Sequence, residues 1–236
     1  MFLIGSGVAL QDEYVGDDGD FSIDLWPGGI VWYQFDTSVP TLTLSIAQQQ
    51  IVRDQMDRWE GALTLTDSLH LDQTRQYIDF KECDANNPCA IRNHVSIRKN
   101  DVGEDNNFCG WYDNNHNAHV GMQPIPGGVT TMNLQDFSRN TVLHELGHCL
   151  GLWHDHNRDD ALRWLIMEVL PNFPDRIMPI LGNYDYDSVM HYASYDSAGP
   201  DDCADGNIRF RDKLGNTFCR WFSDHDNTSP VSYTHL

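Results

Sequence analysis

The sequence predicts an α+β chain, mixed α/β up to about residue 151 and irregular beyond it. Three observations carry this expectation. Apolar residues recur at helical spacing over 45–63, four short β-prone runs are separated by Asn-, Asp- and Gly-rich loops, and a second helical stretch over 142–150 stops at a glycine. In chain order, residues 30–35 form the first strand. Ser45-x-x-Gln48 is a capping box, in which serine and glutamine side chains satisfy each other's backbone N–H groups, and it opens a helix running to about Leu63. Val52, Met56, Trp59 and Leu63 fall on one stripe of that helix and read as core. Strands come next at 77–80, 94–98 and 130–134.

The second helix carries the chemistry. His144-Glu145-Leu146-Gly147-His148-Cys149-Leu150-Gly151-Leu152-Trp153-His154 has the pattern H-E-x-x-H-x-x-G-x-x-H. His144 and His148 are one turn apart and project from one face, so two imidazoles reach one ion. Glu145 lies about 100° around the helix from His144, beside the metal's open position, and reads as a general base and not a ligand. Gly151 takes positive φ without Cβ strain, which lets the chain turn and return His154 as third ligand. Five fixed positions at average usage match by chance in a chain this long about once in ten thousand. A buried amphipathic helix with Val142, Leu143, Leu146, Cys149, Leu150 and Leu152 as its core stripe is the bland alternative. The expected cofactor is one Zn2+ per chain.

Residues beyond the third histidine narrow the class. His154-Asp155-His156-Asn157-Arg158-Asp159-Asp160 resembles the H-E-x-x-R-x-D continuation of the astacin metalloproteases, with Arg158 and Asp160 in register. Tyr184-Asp185-Tyr186-Asp187-Ser188-Val189-Met190-His191-Tyr192 is similar to that family's Met-turn, and Trp26-Pro27-Gly28-Gly29-Ile30-Val31-Trp32-Tyr33 to a segment near the start of its catalytic domain. The resemblance spans residues 26–192. It implies a metzincin, zincin-like catalytic domain: a twisted mixed sheet with an antiparallel edge strand over two long helices, then an irregular C-terminal subdomain. It further implies a secreted zinc endopeptidase acting on protein or peptide substrates, in which a Glu145-activated, zinc-bound water attacks the scissile bond. By the same resemblance Met190 is an apolar floor under the zinc and Tyr192 an oxyanion donor that ligates or swings away. Asp155, Arg158 and Asp160 support the buried N-terminus or the subdomain. Residues 127–134 resemble the strand offered to substrate, with Thr130, Thr131, Met132 and Asn133 as its edge.

The chain also departs from the pattern. Asp155 stands where astacins have glutamate, an adamalysin trait, so an adamalysin-like protease is the nearest rival. Ala161 and Leu162 replace a second Arg-Asp, and no familiar motif lies beyond Tyr192. The expected organisation is therefore a pro-segment remnant or acidic tail over 1–22, a catalytic domain over 23–200 divided near 151, and a divergent or truncated segment over 201–236. Tyr14-Val15-Gly16-Asp17 resembles the family's inhibitory switch, with Asp17 as the zinc cap; a solvated acidic tail with Asp18 and Asp20 is the other reading. A zinc-holding binding module without turnover is the alternative to an enzyme, against which the intact Glu145 and Tyr192 speak.

Lys plus Arg number 15 and Asp plus Glu 35, a net charge of −20, which disfavours nucleic acid and anionic membranes as partners. No apolar run approaches spanning length. Six cysteines read as disulfides in an oxidising compartment. Spacing suggests Cys83 with Cys89 and Cys203 with Cys219, which leaves Cys109 with Cys149. The family instead pairs the cysteine of a segment resembling Cys109-Gly110-Trp111 with one just before the zinc helix, where this chain has Ser138 or a neighbour. His116 and His119 read as solvated loop histidines or a second metal site, and Asn227-Thr228-Ser229 as a weak glycosylation sequon. Oligomeric state is not encoded in any of these features.

Overall fold

A computed structural model describes residues 26–62, 64–66, 74–76, 78–100, 107–112, 114, 118–154, 156, 160–167, 184, 188–191, 208 and 210–217. Two compact units divide the chain, one running through Leu152 and the other starting at Trp153.

The first unit holds β1 (Ile30–Phe35), α1 (Ile46–Ala62), a short antiparallel pair β2 (Thr64–Thr66) and β3 (Thr74–Gln76), then β4 (Asp79–Glu82), β5 (His94–Lys99), β6 (Phe108–Tyr112), β7 (Ala118–His119), β8 (Val129–Leu134) and α2 (Arg139–Cys149). The capping box at the start of α1 is reciprocal: the Ser45 N–H donates to Gln48 Oε1 at 2.9 Å and the Gln48 N–H to Ser45 Oγ at 3.3 Å. Val52, Met56 and Trp59 are buried as the stripe requires; Leu63 lies outside the described residues. Trp59 Nε1 donates to the Leu143 carbonyl at 3.0 Å, which ties α1 to α2 through the core. Arg53 ties α1 to the sheet. Its guanidinium pairs with Glu82 at 2.9 Å and lies 4.7 Å over the Phe35 ring, while the Tyr33 hydroxyl donates to the same carboxylate at 3.3 Å. Burial, with Glu82 beside it, pushes the Tyr33 phenol up to about 12.

The six-stranded sheet runs β4-β1-β5-β8-β6-β7. Pairs β1–β4, β1–β5 and β5–β8 are parallel; β6–β8 and β6–β7 are antiparallel. Strand β4 begins two residues later than the sequence pattern suggests, because its register on β1 starts at Ile30↔Asp79 and continues past Glu82, where the Cys83 N–H donates to the Tyr33 carbonyl at 2.8 Å. Tyr77 lies outside the described residues.

One expectation is overturned. Thr130, Thr131, Met132 and Asn133 do not form an edge: β8 pairs with β5 over its whole length on one side, and Thr131, Met132 and Asn133 pair with Gly110, Cys109 and Phe108 on the other. The physical reason is the segment 108–112, which the local pattern does not mark as a strand but which folds back antiparallel onto β8 and, with β7 beyond it, leaves β8 in the interior. Thr130, Met132 and Leu134 are accordingly buried completely.

The second unit contains α3 (Ala161–Trp164), β9 (Leu165–Met167) and β10 (Phe210–Asp212), the strands antiparallel with Phe210 opposite Met167. Ala161 and Leu162, which replace the second Arg-Asp, open α3 with one side chain buried and the other exposed. Among the described residues no helix is long and apolar enough to cross a membrane.

Candidate metal centre

Helix α2 is fixed at both ends. At its start Ser138 is the N-cap, its Oγ accepting from the Thr141 N–H at 3.3 Å. Asp136 braces this cap, taking hydrogen bonds from the Ser138 N–H at 2.9 Å, the Ser138 hydroxyl at 2.8 Å and the Thr141 hydroxyl at 2.7 Å. Burial works to raise the Asp136 carboxyl, but the hydrogen bonds from Thr141, Ser138 and the Phe137 backbone outweigh it and hold the group below its ordinary value. Because the folded value is depressed, this contribution to stability is complete above the unfolded carboxyl pKa of about 3.9 and is lost as pH falls through the folded value. Ser138→Ala is expected to cost about 1 kcal/mol in urea unfolding at neutral pH. Asp136→Asn is expected to flatten the acid limb of stability against pH; an acid limb identical to wild type would remove Asp136 from this role.

At its other end, α2 stops before Gly151, whose φ of 100° belongs to the left-handed region that favours glycine. The Gly151 N–H donates to the His148 carbonyl and the Leu152 N–H to the Gly147 carbonyl, both at 3.0 Å, satisfying carbonyls that the helix end would leave unpaired. Trp26 Nε1 donates to the Cys149 carbonyl at 2.8 Å, and Cys149 is bridged to Cys109 of β6. The tryptophan of the first motif thus sits against the end of the metal helix.

His144 and His148 are buried on one face of α2, their ring centroids 4.6 Å apart and nearly perpendicular. The Leu152 carbonyl lies 2.7 Å from His148 Nδ1. A carbonyl only accepts, so Nδ1 carries the proton and the Nε2 lone pair is left for a metal. Along the continuous segment ending at His154, one ligand atom from each of His144, His148 and His154 lies within 4.8 Å of the others. Three neutral imidazoles converging in this way are the donor set of a catalytic zinc site that keeps a fourth position open. Among the described residues no other group of histidine, cysteine and carboxylate side chains converges like this. Glu145 is 6 % exposed, on the same helix and outside the ligand group.

Beyond the triad, Met190 is buried, its N–H donating to Ser188 Oγ at 3.1 Å, and the His191 N–H donates to the Ser188 carbonyl at 3.0 Å, so residues 188–191 form a turn. His191 is enclosed by His156, Phe210 and Tyr184, with its Nε2 2.5 Å from the Tyr184 hydroxyl. Asp160, also buried, accepts from the Trp164 indole at 2.9 Å. Asp17, Asp155, Arg158 and Tyr192 lie outside the described residues, as do His116, Cys203 and Cys219. His119 joins no metal-holding group among the described residues, and its ring stacks on Trp111, ring centroids 4.2 Å apart. The disulfides Cys83–Cys89 and Cys109–Cys149 decide between the two pairings the sequence left open for Cys109. Sequence reasoning missed the Asp136 brace, the Trp26 bond and the hairpin β6–β7. The Asp-x-Ser-x-x-Thr spacing over 136–141 was the available signal for the first.

The family model described as Astacin, a peptidase family, matches residues 20–216, past Tyr192, where recognisable motifs end. The mouse protein named astacin-like metalloendopeptidase is 45 % identical over 83 residues, covering 32 % of this chain and 18 % of its own length. Bone morphogenetic protein 1 of Xenopus laevis is 29 % identical over 180 residues, covering 72 % of this chain and 20 % of its own length. The chain therefore spans about a fifth of the length of these curated relatives. Among solved structures, high choriolytic enzyme 1, a hatching-enzyme zinc-protease of the medaka Oryzias latipes, superposes with a TM-score of 0.52 at 15 % identity, covering 84 % of each chain, a likeness of fold.

Proposed function

This chain belongs to the astacin family of peptidases, and we propose that its metal centre hydrolyses peptide bonds in protein or peptide substrates as a zinc endopeptidase. The observation that carries the reading is the convergence of His144, His148 and His154, with the His148 tautomer set by the Leu152 carbonyl. Zinc bound there supplies a Lewis acid that activates water and polarises the scissile carbonyl.

The chain's own groups do the rest. Glu145 takes the proton from the attacking water as the new C–O bond forms, then delivers it to the amine nitrogen as the C–N bond breaks. Tyr192 donates a hydrogen bond to the oxyanion at the tetrahedral stage. By the family resemblance Met190 is assigned the role of an apolar floor at the metal centre, and Asp155, Arg158 and Asp160 that of supporting the N-terminus or the subdomain. In a pro-segment form Asp17 would cap the metal, as the family resemblance implies. The two disulfides support a secreted protein that folds in an oxidising compartment.

Elemental analysis of purified protein, run beside a fluorogenic-peptide assay, tests this. One zinc per chain is expected, with cleavage abolished by phenanthroline and restored by added zinc. A folded, metal-free protein that cleaves equally well would overturn it.

A further inference from the structure

Two of the three converging histidines stand on a helix that is fixed at both ends; the third does not. His154 lies past Gly151 in a stretch of chain that is neither helix nor strand, so no regular element sets the direction of its ring. Against that ring lies His156, its plane 15° from parallel and its centroid 5.1 Å away, an offset stack.

His156 is itself walled in by rings. Phe210 of β10, fully buried, lies 5.3 Å from it and His191 lies 5.6 Å from it, centroid to centroid. His191 meets Phe210 edge-on at 5.8 Å, and its Nε2 is 2.5 Å from the Tyr184 hydroxyl. Tyr184 in turn stacks on Trp164 of α3, planes 16° apart. A continuous row of rings therefore runs from α3 to the third histidine, and every member belongs to the unit that starts at Trp153. His156 and His191 are 4 % and 1 % exposed, and the steps assigned above to Glu145 and Tyr192 use neither.

Resting on the zinc-peptidase reading, we propose that His156 is a positioning residue for the third zinc ligand: its stack orients the His154 ring, and the contact between Tyr184 and His191 holds the row in place. A ligand on irregular chain must give up rotamer freedom when it takes the metal. Ordering the ring beforehand removes part of that cost and appears as tighter zinc binding. His191 also anchors the turn 188–191 through its N–H bond to the Ser188 carbonyl, so the row joins that turn to the metal centre.

Two measurements on the full chain test this without any substrate: zinc affinity by competition with a chromophoric chelator, and the visible absorption of the Co2+-substituted protein, which reports the geometry of the ligands. His156→Ala is expected to bind zinc about tenfold more weakly, the lower end of what partners of metal ligands contribute, and to change the Co2+ bands. His156→Phe keeps a ring against His154 and is expected to regain the wild-type affinity and bands. Tyr184→Phe removes only the hydroxyl at the His191 nitrogen and is expected to lose about threefold, within the scale of one hydrogen bond. Leu165→Val, at a position of β9 that is 1 % exposed and outside the row, is expected to lower the thermal midpoint and leave zinc affinity and bands unchanged. A folded His156→Ala with wild-type affinity and bands overturns the proposal, as does a folded His156→Phe no better than His156→Ala, or a loss of affinity in Leu165→Val equal to that in His156→Ala. If a thermal melt shows that His156→Ala does not fold, Tyr184→Phe decides, and wild-type affinity there overturns the role of the row. Tight zinc binding with the expected pattern of variants, but no cleavage of any peptide, overturns the peptidase reading and leaves the positioning role standing.

Discussion

Replacing Glu145 with glutamine is expected to leave one zinc bound and to lower kcat by about 10³-fold or more, within or above the range general acid–base groups supply. Glutamine keeps the volume and hydrogen-bonding shape of a side chain that is 6 % exposed on α2, so packing changes little. It loses only the ability to accept a proton. Metal retention is expected because the converging ligand set is His144, His148 and His154, without Glu145. Elemental analysis and steady-state kinetics on one preparation separate the outcomes. Turnover within tenfold of wild type would remove Glu145 as the base, whereas loss of zinc would make it part of the coordination.

The second large effect is on stability. Removing the Cys109–Cys149 bridge by double alanine substitution is expected to cost about 4 kcal/mol, from the loop-closure entropy of a 40-residue separation. Removing Cys83–Cys89, separated by 6 residues, is expected to cost about 2 kcal/mol. Against a typical domain stability of about 5–15 kcal/mol the first loss is severe. It also frees β6 from the end of the metal helix next to His148, so zinc affinity should fall for this variant and hold for the other. Denaturant unfolding with a zinc titration checks both. Equal losses from the two bridges would show that loop entropy does not govern them.

The metal site was legible because it is local. Helical spacing places His144, Glu145 and His148, one glycine of positive φ returns His154, and all are separated by fewer residues than two helical turns and a bend. The same holds for the cap at Ser45 and Gln48, whose partners lie three residues apart. Composition and cysteine count pointed to an oxidising compartment for similar reasons, since they need no knowledge of contacts.

Other assignments depended on partners far away in sequence. The run 129–134 has a strand pattern whichever strands flank it, and period-2 alternation says nothing about whether a neighbour lies on one side or both. Only the folding back of 108–112 moved it from the edge to the interior. The pairing of Cys109 was open for the same reason, as one cysteine is compatible with several partners until two backbones approach. By itself the sequence determined the chemistry of the zinc helix, because covalent spacing on a regular helix sets which side chains meet. The tertiary structure alone decided that β8 is interior and that β6 and β7 lie outside it, because strand order is set by long-range pairing and packing, on which local pattern places no constraint.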